Sequence, residues 1–379
     1  MRKELERIEV PHEHEARERS WAVVRAAAAE REPQPRRRSW KPVGAIALVA
    51  ALAASVATPA GRSVVDSLRE IVGVERSSPG LFALPSGGRV LVSSPAGAWV
   101  VHADGAKRRL GPYQRAAWSP HGRFVVATKR DELVALEPDG DVRWSLARPS
   151  VGPVAWGGTA RDTRIAYASR DGLHIVGGDG RGDVTLFSAP DVPTAPMAWA
   201  PESRRVLAHA TQGILRVLDV ALGGEELWSA TVPQPHFVGW TDDRKRLVVV
   251  SANVLVVFDR NGRRLFRHEL AGRATAVSLR PNGHEVAVAL RLRGSTRSEA
   301  FVFSLDRRDA AQRRVFGGAG TFSSVVWSPD ARWLLVAWDA ADQWVFVRSR
   351  GAPRLTAVAN VAAQFGGRFP RVEGWCCSP

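Results

Sequence analysis

The sequence predicts an all-β fold, a seven-bladed β-propeller over residues 81–379 closed by its own C-terminal strand. Three observations predict it. A tryptophan-headed phrase recurs at a spacing near forty residues. Each interval holds four strand-like runs. The two ends of the array complement each other. The phrase reads Trp118-Ser119-Pro120-His121-Gly122, Trp156-Gly157-Gly158 and Trp199-Ala200-Pro201-Glu202. It returns as Trp240-Thr241-Asp242-Asp243, Leu279-Arg280-Pro281-Asn282-Gly283 and Trp327-Ser328-Pro329-Asp330. The heads lie 38, 43, 41, 39 and 48 positions apart. A period of this length with strands and turns inside it is the signature of propeller blades.

Within one interval the elements follow in order. Ala116-Ala117-Trp118 is a short apolar strand, and Ser119-Pro120-His121-Gly122 is turn chemistry, since Pro fixes φ and Gly accepts a positive one. Phe124 to Ala127 is an apolar run of strand length, Lys129-Arg130-Asp131 a polar break, and Leu133 to Leu136 a third strand. Asp139-Gly140 is a tight-hairpin signal before the alternating Val142 to Leu146. The same hairpin recurs at Asp104-Gly105, Asp179-Gly180, Gly223-Gly224 and Asn261-Gly262. Uniformly apolar runs such as Leu247 to Val250 and Leu334 to Ala337 predict second strands buried on both faces between neighbouring blades.

The ends predict closure. Residues Pro85 to Gly111 carry the later strands of a blade without its tryptophan phrase, and Val372-Glu373-Gly374-Trp375 supplies that phrase 48 positions after Trp327. A C-terminal strand completing the first blade removes two exposed sheet edges. Six blades headed by the phrases plus this composite one make seven.

These Trp-Ser-Pro-Asp-Gly-like phrases followed by apolar strands resemble the TolB-type, WD-like propeller repeats of bacterial extracytoplasmic proteins. Leu279 in place of Trp, Ala331 in place of the turn Gly, and a Trp156 unit without its Pro depart from the pattern. The resemblance implies a binding platform and leaves the ligand open. A second resemblance, carried by Asp219 to Trp228 and Asp139 to Trp144, is to the repeats of pyrroloquinoline-quinone propellers. It implies the alternative of a quinoprotein enzyme, although those domains are usually eight-bladed and hold a calcium-ligand set that has no counterpart identified here.

Residues 1–41 form a short charged segment with a helix-forming stretch from Ser20 to Glu30, stopped by Pro33 and Pro35. Residues 42–61 carry no charge, and about 20 residues at ~1.5 Å each span a bilayer core of ~30 Å. Arg36-Arg37-Arg38 and Lys41 precede this stretch, which places the N-terminus in the cytoplasm and the propeller outside, as a single-pass protein of the cell membrane. An uncleaved anchor is expected; a signal peptide processed after Ala57 is the alternative. Residues 62–80 read as a short amphipathic helix and a linker, with Ser63 and Asp66 at its start and Gly73 at its stop.

The formal net charge is +15, with Lys and Arg at 53 against 38 Asp and Glu. The arginines are scattered through turns and strand ends, and an exported domain meets little nucleic acid. Attraction to anionic lipids or envelope polymers fits better than nucleic-acid binding. Only Cys376 and Cys377 occur. Neighbours in a strand point to opposite faces, so the favoured reading is two small side chains packing the closing strand, with a vicinal or an intermolecular disulfide as alternatives.

No catalytic constellation stands out. There is no G-x-S-x-G elbow, and His12-Glu13-His14-Glu15 lacks the spacing of H-E-x-x-H. No cofactor or metal is expected. The function read from the residues is that of a non-catalytic binding or scaffold module, with a sensor role passing through the anchor as a variant, and its partner a protein or an envelope polymer. In a propeller the segment before each inner strand shares a face with the loop between second and third strands. That rule gathers Tyr113, Arg115, His236, Phe322, Asp339, Asp342, Gln364, Phe365 and Arg368 on one rim as partner-binding candidates, with Trp338 and Trp344 nearby.

Overall fold

In the computed structural model, which describes residues 83–188, 196–306 and 312–377, seven four-stranded antiparallel sheets are arranged as blades. The inner strands are Arg371–Cys376 in blade 1, then Arg115–Trp118, Val154–Gly158, Met197–Trp199, Phe237–Trp240, Gly272–Leu279 and Phe322–Trp327 in blades 2 to 7. Each inner strand lies beside the inner strands of both neighbouring blades, so the ring is closed. Closure occurs where predicted. Arg371–Cys376 pairs antiparallel with Arg89–Ser94, Val90 facing Trp375 and Leu91 facing Gly374.

The recurring phrase is explained atom by atom. Ser328 Oγ donates to Asp330 at 2.6 Å and accepts the N–H of Trp333 at 2.9 Å, while Asp330 accepts the N–H of Arg332 at 3.0 Å. The short side chains thus satisfy the backbone groups that open the second strand. Thr241 and Asp243 repeat this pattern at 2.6 Å, with the N–H of Arg246 on Thr241 Oγ1 at 3.1 Å. Ala331, where a Gly was the norm, takes the same left-handed turn at φ 56°.

The second strands are the sandwiched layer. Leu247 to Val250 and Val125 to Ala127 are wholly buried, and Leu334 to Ala337 nearly so. Tryptophans then stitch blade to blade. Trp199 donates its indole N–H to Ala155 O of the preceding blade at 3.1 Å, and Trp327 to Ser278 O at 3.2 Å. On the outer strands the stitch runs forward: Trp144 donates to Gly178 O of blade 3 and Trp228 to Arg260 O of blade 5, each at 3.0 Å. The hairpin glycines make room for these rings. A Cβ at Gly180 or Gly262 would stand 2.7 Å from the indole. The hairpin dipeptide therefore serves packing as well as the turn.

The favoured reading of the cysteines is corrected. Cys376 and Cys377 are joined in a vicinal disulfide. The strand ends at Cys376, and Cys377 turns into the left-handed region at φ 46°, so the opposite-face argument for two consecutive strand residues does not apply. The pair abuts the Gly122 turn of blade 2, where Arg89 donates to Gly122 O at 2.6 Å.

The segment 1–41, the apolar stretch 42–61 and the linker 62–80 lie outside the described residues. Among the described residues no helix is long and apolar enough to cross a membrane.

Two tests follow from the packing. Removing residues 371–377 should expose two sheet edges and yield an aggregating domain; Trp375→Ala alone should cost about 3–5 kcal/mol in chemical denaturation. A soluble truncation that unfolds cooperatively would disprove closure as the stabilising step. The second concerns His209 on the second strand of blade 4 (Val206–Thr211), which is fully buried with neither ring nitrogen hydrogen-bonded among the described residues. Burial, aided by the charge of Arg216, lowers its pKa to about 4 from 6.5. The unfolded chain therefore takes up a proton that the folded ring refuses. Its contribution is complete above about pH 6.5 and lost as pH falls towards 4, at a full cost of about 3 kcal/mol. His209→Leu should flatten the melting-temperature profile in that window; an unchanged slope would assign the acid loss to other groups.

Candidate functional site at the channel mouth

The inner strands leave a cavity of about 820 Å³ at the centre of the ring, on the side of blades 5, 6, 7 and 1. Its lining includes His236, Asp339, Arg371 and Glu373. The backbone shows why these meet. Gln114 N–H bonds to Thr128 O at 2.8 Å, His236 N–H to Val250 O at 3.0 Å, and Val361 N–H to Asp342 O at 3.3 Å. Segments entering inner strands and loops leaving second strands thus share one end of the ring.

The nine rim candidates divide sharply. Arg115, His236, Asp339 and Arg368 are exposed, and Asp342 and Gln364 half-buried. The aromatics are corrected: they are core. Phe322 is wholly buried against Phe316 and Trp338, with centroids 5.4 and 5.9 Å away. Phe365 is wholly buried between Trp99 and Trp344, at 5.9 and 5.3 Å. Tyr113 is 6% exposed and packs between blades 1 and 2, with the Lys129 ammonium 5.3 Å from its ring. Trp338 and Trp344 are likewise buried. Each sits at the end of the ring yet packs into the seam between neighbouring blades.

Two of the polar candidates hold the loop that leads to the closing strand. Asp342 accepts the N–H of Ala362 at 2.7 Å, anchoring the helical turn Val361–Gln364. Gln364 Oε1 accepts from Lys107 Nζ at 2.8 Å, tying that turn to blade 1.

Sequence reasoning missed Glu373. It lies at a bulge of the closing strand, between the pairs Leu91–Gly374 and Val92–Val372, with its side chain only 12% exposed. Arg371 Nε stands 3.5 Å from its carboxylate. Burial nonetheless dominates and raises its pKa. The mouth shows the same tendency throughout. Burial raises the carboxyls of Asp339 and Asp342 and lowers His236, the last helped by Arg273. Protein displaces water around these groups even where their edges reach the surface, so every one is biased towards its neutral form. Permanent charge at the rim comes from Arg115, Arg368 and Arg371.

Chemistry elsewhere in the ring is limited by geometry. Ser169, Asp171 and His174 cluster in blade 3, with His174 Nε2 3.0 Å from Ser169 Oγ and 3.1 Å from Asp171 Oδ1. A nucleophile-activating triad needs the carboxylate on the far ring nitrogen. Here that nitrogen, Nδ1, lies 3.2 Å from Thr185 Oγ1, and Ser169 is wholly buried. The cluster is a structural clasp. Among the described residues no group of three or more His, Cys, Asp or Glu side chains is placed to hold a metal ion.

Comparison with known proteins supports the architecture. Solved structures with this fold include the β-propeller domain of Cps50 (Swd1) from Myceliophteria thermophila, at 14% identity and TM-score 0.53, covering 68% of this chain and 94% of that one. The Neurospora crassa Pan2 WD40 domain matches at 10% identity and TM-score 0.50, over 66% and 80% of the two chains. Kuenenia stuttgartiensis hydrazine synthase matches at 13% identity and TM-score 0.50, over 62% and 75%. At these identities the likeness is one of fold. No family model matches the chain, and no curated protein matches it.

Glu373 yields a test. A carboxyl whose folded pKa is raised destabilises the ring as pH climbs from the ordinary glutamate range through the folded value, because the unfolded chain ionises first. Glu373→Gln should remove that decline, and the variant should melt above the wild type near neutral pH. A variant melting lower at every pH would instead make the Arg371 pair the dominant effect.

Proposed function

We propose that this chain is a non-catalytic binding scaffold, of the TolB-like, WD-like kind, whose channel mouth receives a protein partner. One observation carries the reading: a closed ring holds Arg115, Arg368 and Arg371 exposed around a recess of carboxyls whose pKa values burial raises. A rigid rim that presents guanidiniums beside desolvated hydrogen-bonding groups suits recognition, since arginine anchors over water-poor pockets dominate protein interfaces. The WD40-type neighbours support the same reading at the level of fold. The uncharged stretch 42–61 with its preceding basic cluster supports a membrane anchor that places the ring on the outer side, where a bound partner would be sensed or tethered.

The quinoprotein alternative gains no support from the ring, which has seven blades.

Affinity capture from membranes with the full-length chain, followed by titration of the captured protein, tests the proposal. Arg115→Ala and Arg368→Ala should each weaken binding by about 1–3 kcal/mol with the melting temperature unchanged, because both side chains are exposed. A reporter active only outside the cytoplasm, fused after Pro379, should be active in membrane fractions. Undiminished binding by the double variant would move the interface off the mouth, and a cytoplasmic soluble fusion would remove the anchor.

A further inference from the structure

At the opposite end of the ring the outer parts of blades 6 and 7 enclose a recess of about 630 Å³. Arg313 and Arg314 reach it from the outer strand of blade 6 (Gln312–Ala319), Arg348 from the third strand of blade 7 (Gln343–Arg348), and Arg350 and Arg354 from the hairpin that follows. Glu285 is the one acidic side chain among the described residues of the lining. Arg314 is held by Glu299 at 3.0 Å on its own sheet, so the charges that matter in the recess are Arg313 and Arg348.

Elsewhere on the ring many arginines meet their own acid, as Arg205 does Asp219 at 2.6 Å, Arg216 Glu226 at 3.2 Å and Arg263 Asp259 at 3.1 Å. In the recess the balance fails. Glu285 is already shared between Arg280 and Arg350, the latter at 3.4 Å. Arg313 donates to the carbonyl of Ser349 at 2.9 Å, which orients its guanidinium without neutralising it. Arg348 lies over Gly351, its Cζ 4.0 Å from where a Cβ would stand there, and forms no ion pair with a described carboxylate. Like charges converge on two adjoining blades, and the backbone fixes at least one of them in place.

We propose that this seam is a binding site for a small, multiply phosphorylated anion. The guanidinium fork matches the oxygens of a phosphoryl group, and two converging forks match linked phosphoryl groups better than a single carboxylate. The volume lies within the range of small-ligand pockets, about 300–1,000 Å³. A recess between blades, rather than a flat basic face, favours a soluble anion over a membrane surface. The site is separate from the channel mouth, so it stands or falls independently of the partner proposed there.

Calorimetric titration of the full-length chain, in neutral detergent at low salt, with inorganic triphosphate tests this. A single saturable site is expected in the wild type. Arg313→Gln with Arg348→Gln should weaken it by about tenfold or more, and the corresponding lysine pair should recover only part of the loss, because charge returns without the fork. Arg263→Gln with Arg267→Gln removes the same charge from the last hairpin and outer strand of blade 5 (Arg264–Glu269) and should leave affinity unchanged. Should the glutamine pair misfold, triphosphate protection of wild-type arginines from an arginine-selective reagent reads the same site by peptide mapping. No saturable binding, equal losses in both double variants, or no protection would overturn the proposal. So would binding to zwitterionic vesicles doped with a phosphorylated inositol lipid that triphosphate fails to displace, since the ligand would then be a membrane surface.

Discussion

The ring depends on one non-covalent event, the pairing of Arg371–Cys376 with Arg89–Ser94. In blades 2 to 7 the four strands are consecutive in sequence and find each other locally. Blade 1 alone must be assembled from segments almost three hundred residues apart. That separation is costly in loop entropy, though only logarithmically so, and what offsets it is concentrated in a few side chains. Trp375 fills the seam with blade 7, its ring 5.7 Å from Phe346, and donates its indole N–H to Gly87 O at 3.1 Å. Val372 and Val90 are buried in the same cluster. The loop before the closing strand is held as carefully, through Asp342 on Ala362 and Lys107 on Gln364. Those contacts place the mouth residues Arg368, Arg371 and Glu373 directly on the closing segment. The candidate site therefore exists only once the ring has shut.

Much of this was legible in the sequence because propeller signals are local. A tryptophan, a hydroxyl, a proline and an acid within five residues define a turn whose hydrogen bonds involve those same residues. Ser328, Asp330 and Trp333 need no information from elsewhere in the chain. Hairpin dipeptides such as Asp179-Gly180 were read for their turn, and the reading was incomplete. The reason Gly180 cannot carry a side chain is Trp144, thirty-six positions earlier and one blade away. The composite blade was legible because a missing phrase at one end matched a surplus phrase at the other.

The site was only partly legible, for a related reason. Position along the repeat assigns a residue to one end of the ring. It does not say whether the side chain points outward or into the seam. Phe322, Phe365 and Tyr113 occupy rim positions and turn inward, the two phenylalanines into aromatic pairs at 5–6 Å and Tyr113 into the apolar seam of blades 1 and 2. Their polar neighbours Arg115 and Arg368 remain outside. Glu373 was hidden by the opposite error. As part of an alternating strand it reads as solvated, but the bulge at Leu91 and Val92 folds it inward beside Arg371. Bulges depend on register with a distant strand and leave no mark in composition.

The charge of the chain shows the same limit of linear reading. A net charge of +15 spread through turns looks featureless, and no run of basic residues draws attention to residues 313 or 348. Folding sorts those charges. Arg246, for example, has Asp306 at 2.8 Å, and Arg314 has Glu299 at 3.0 Å. Once such local pairs are formed, Arg313 and Arg348 remain, presented by two blades across a seam whose described lining contributes a single acid. Neither Arg313 nor Arg348 is unusual in its own blade; their convergence is a property of adjacency between blades. The channel mouth arises in the same manner, from Arg115 of blade 2 and Arg371 of blade 1 brought around a shared opening. In a propeller the strands and turns belong to each repeat, whereas the chemistry belongs to the gaps between repeats. Those gaps are what a sequence read one blade at a time does not display.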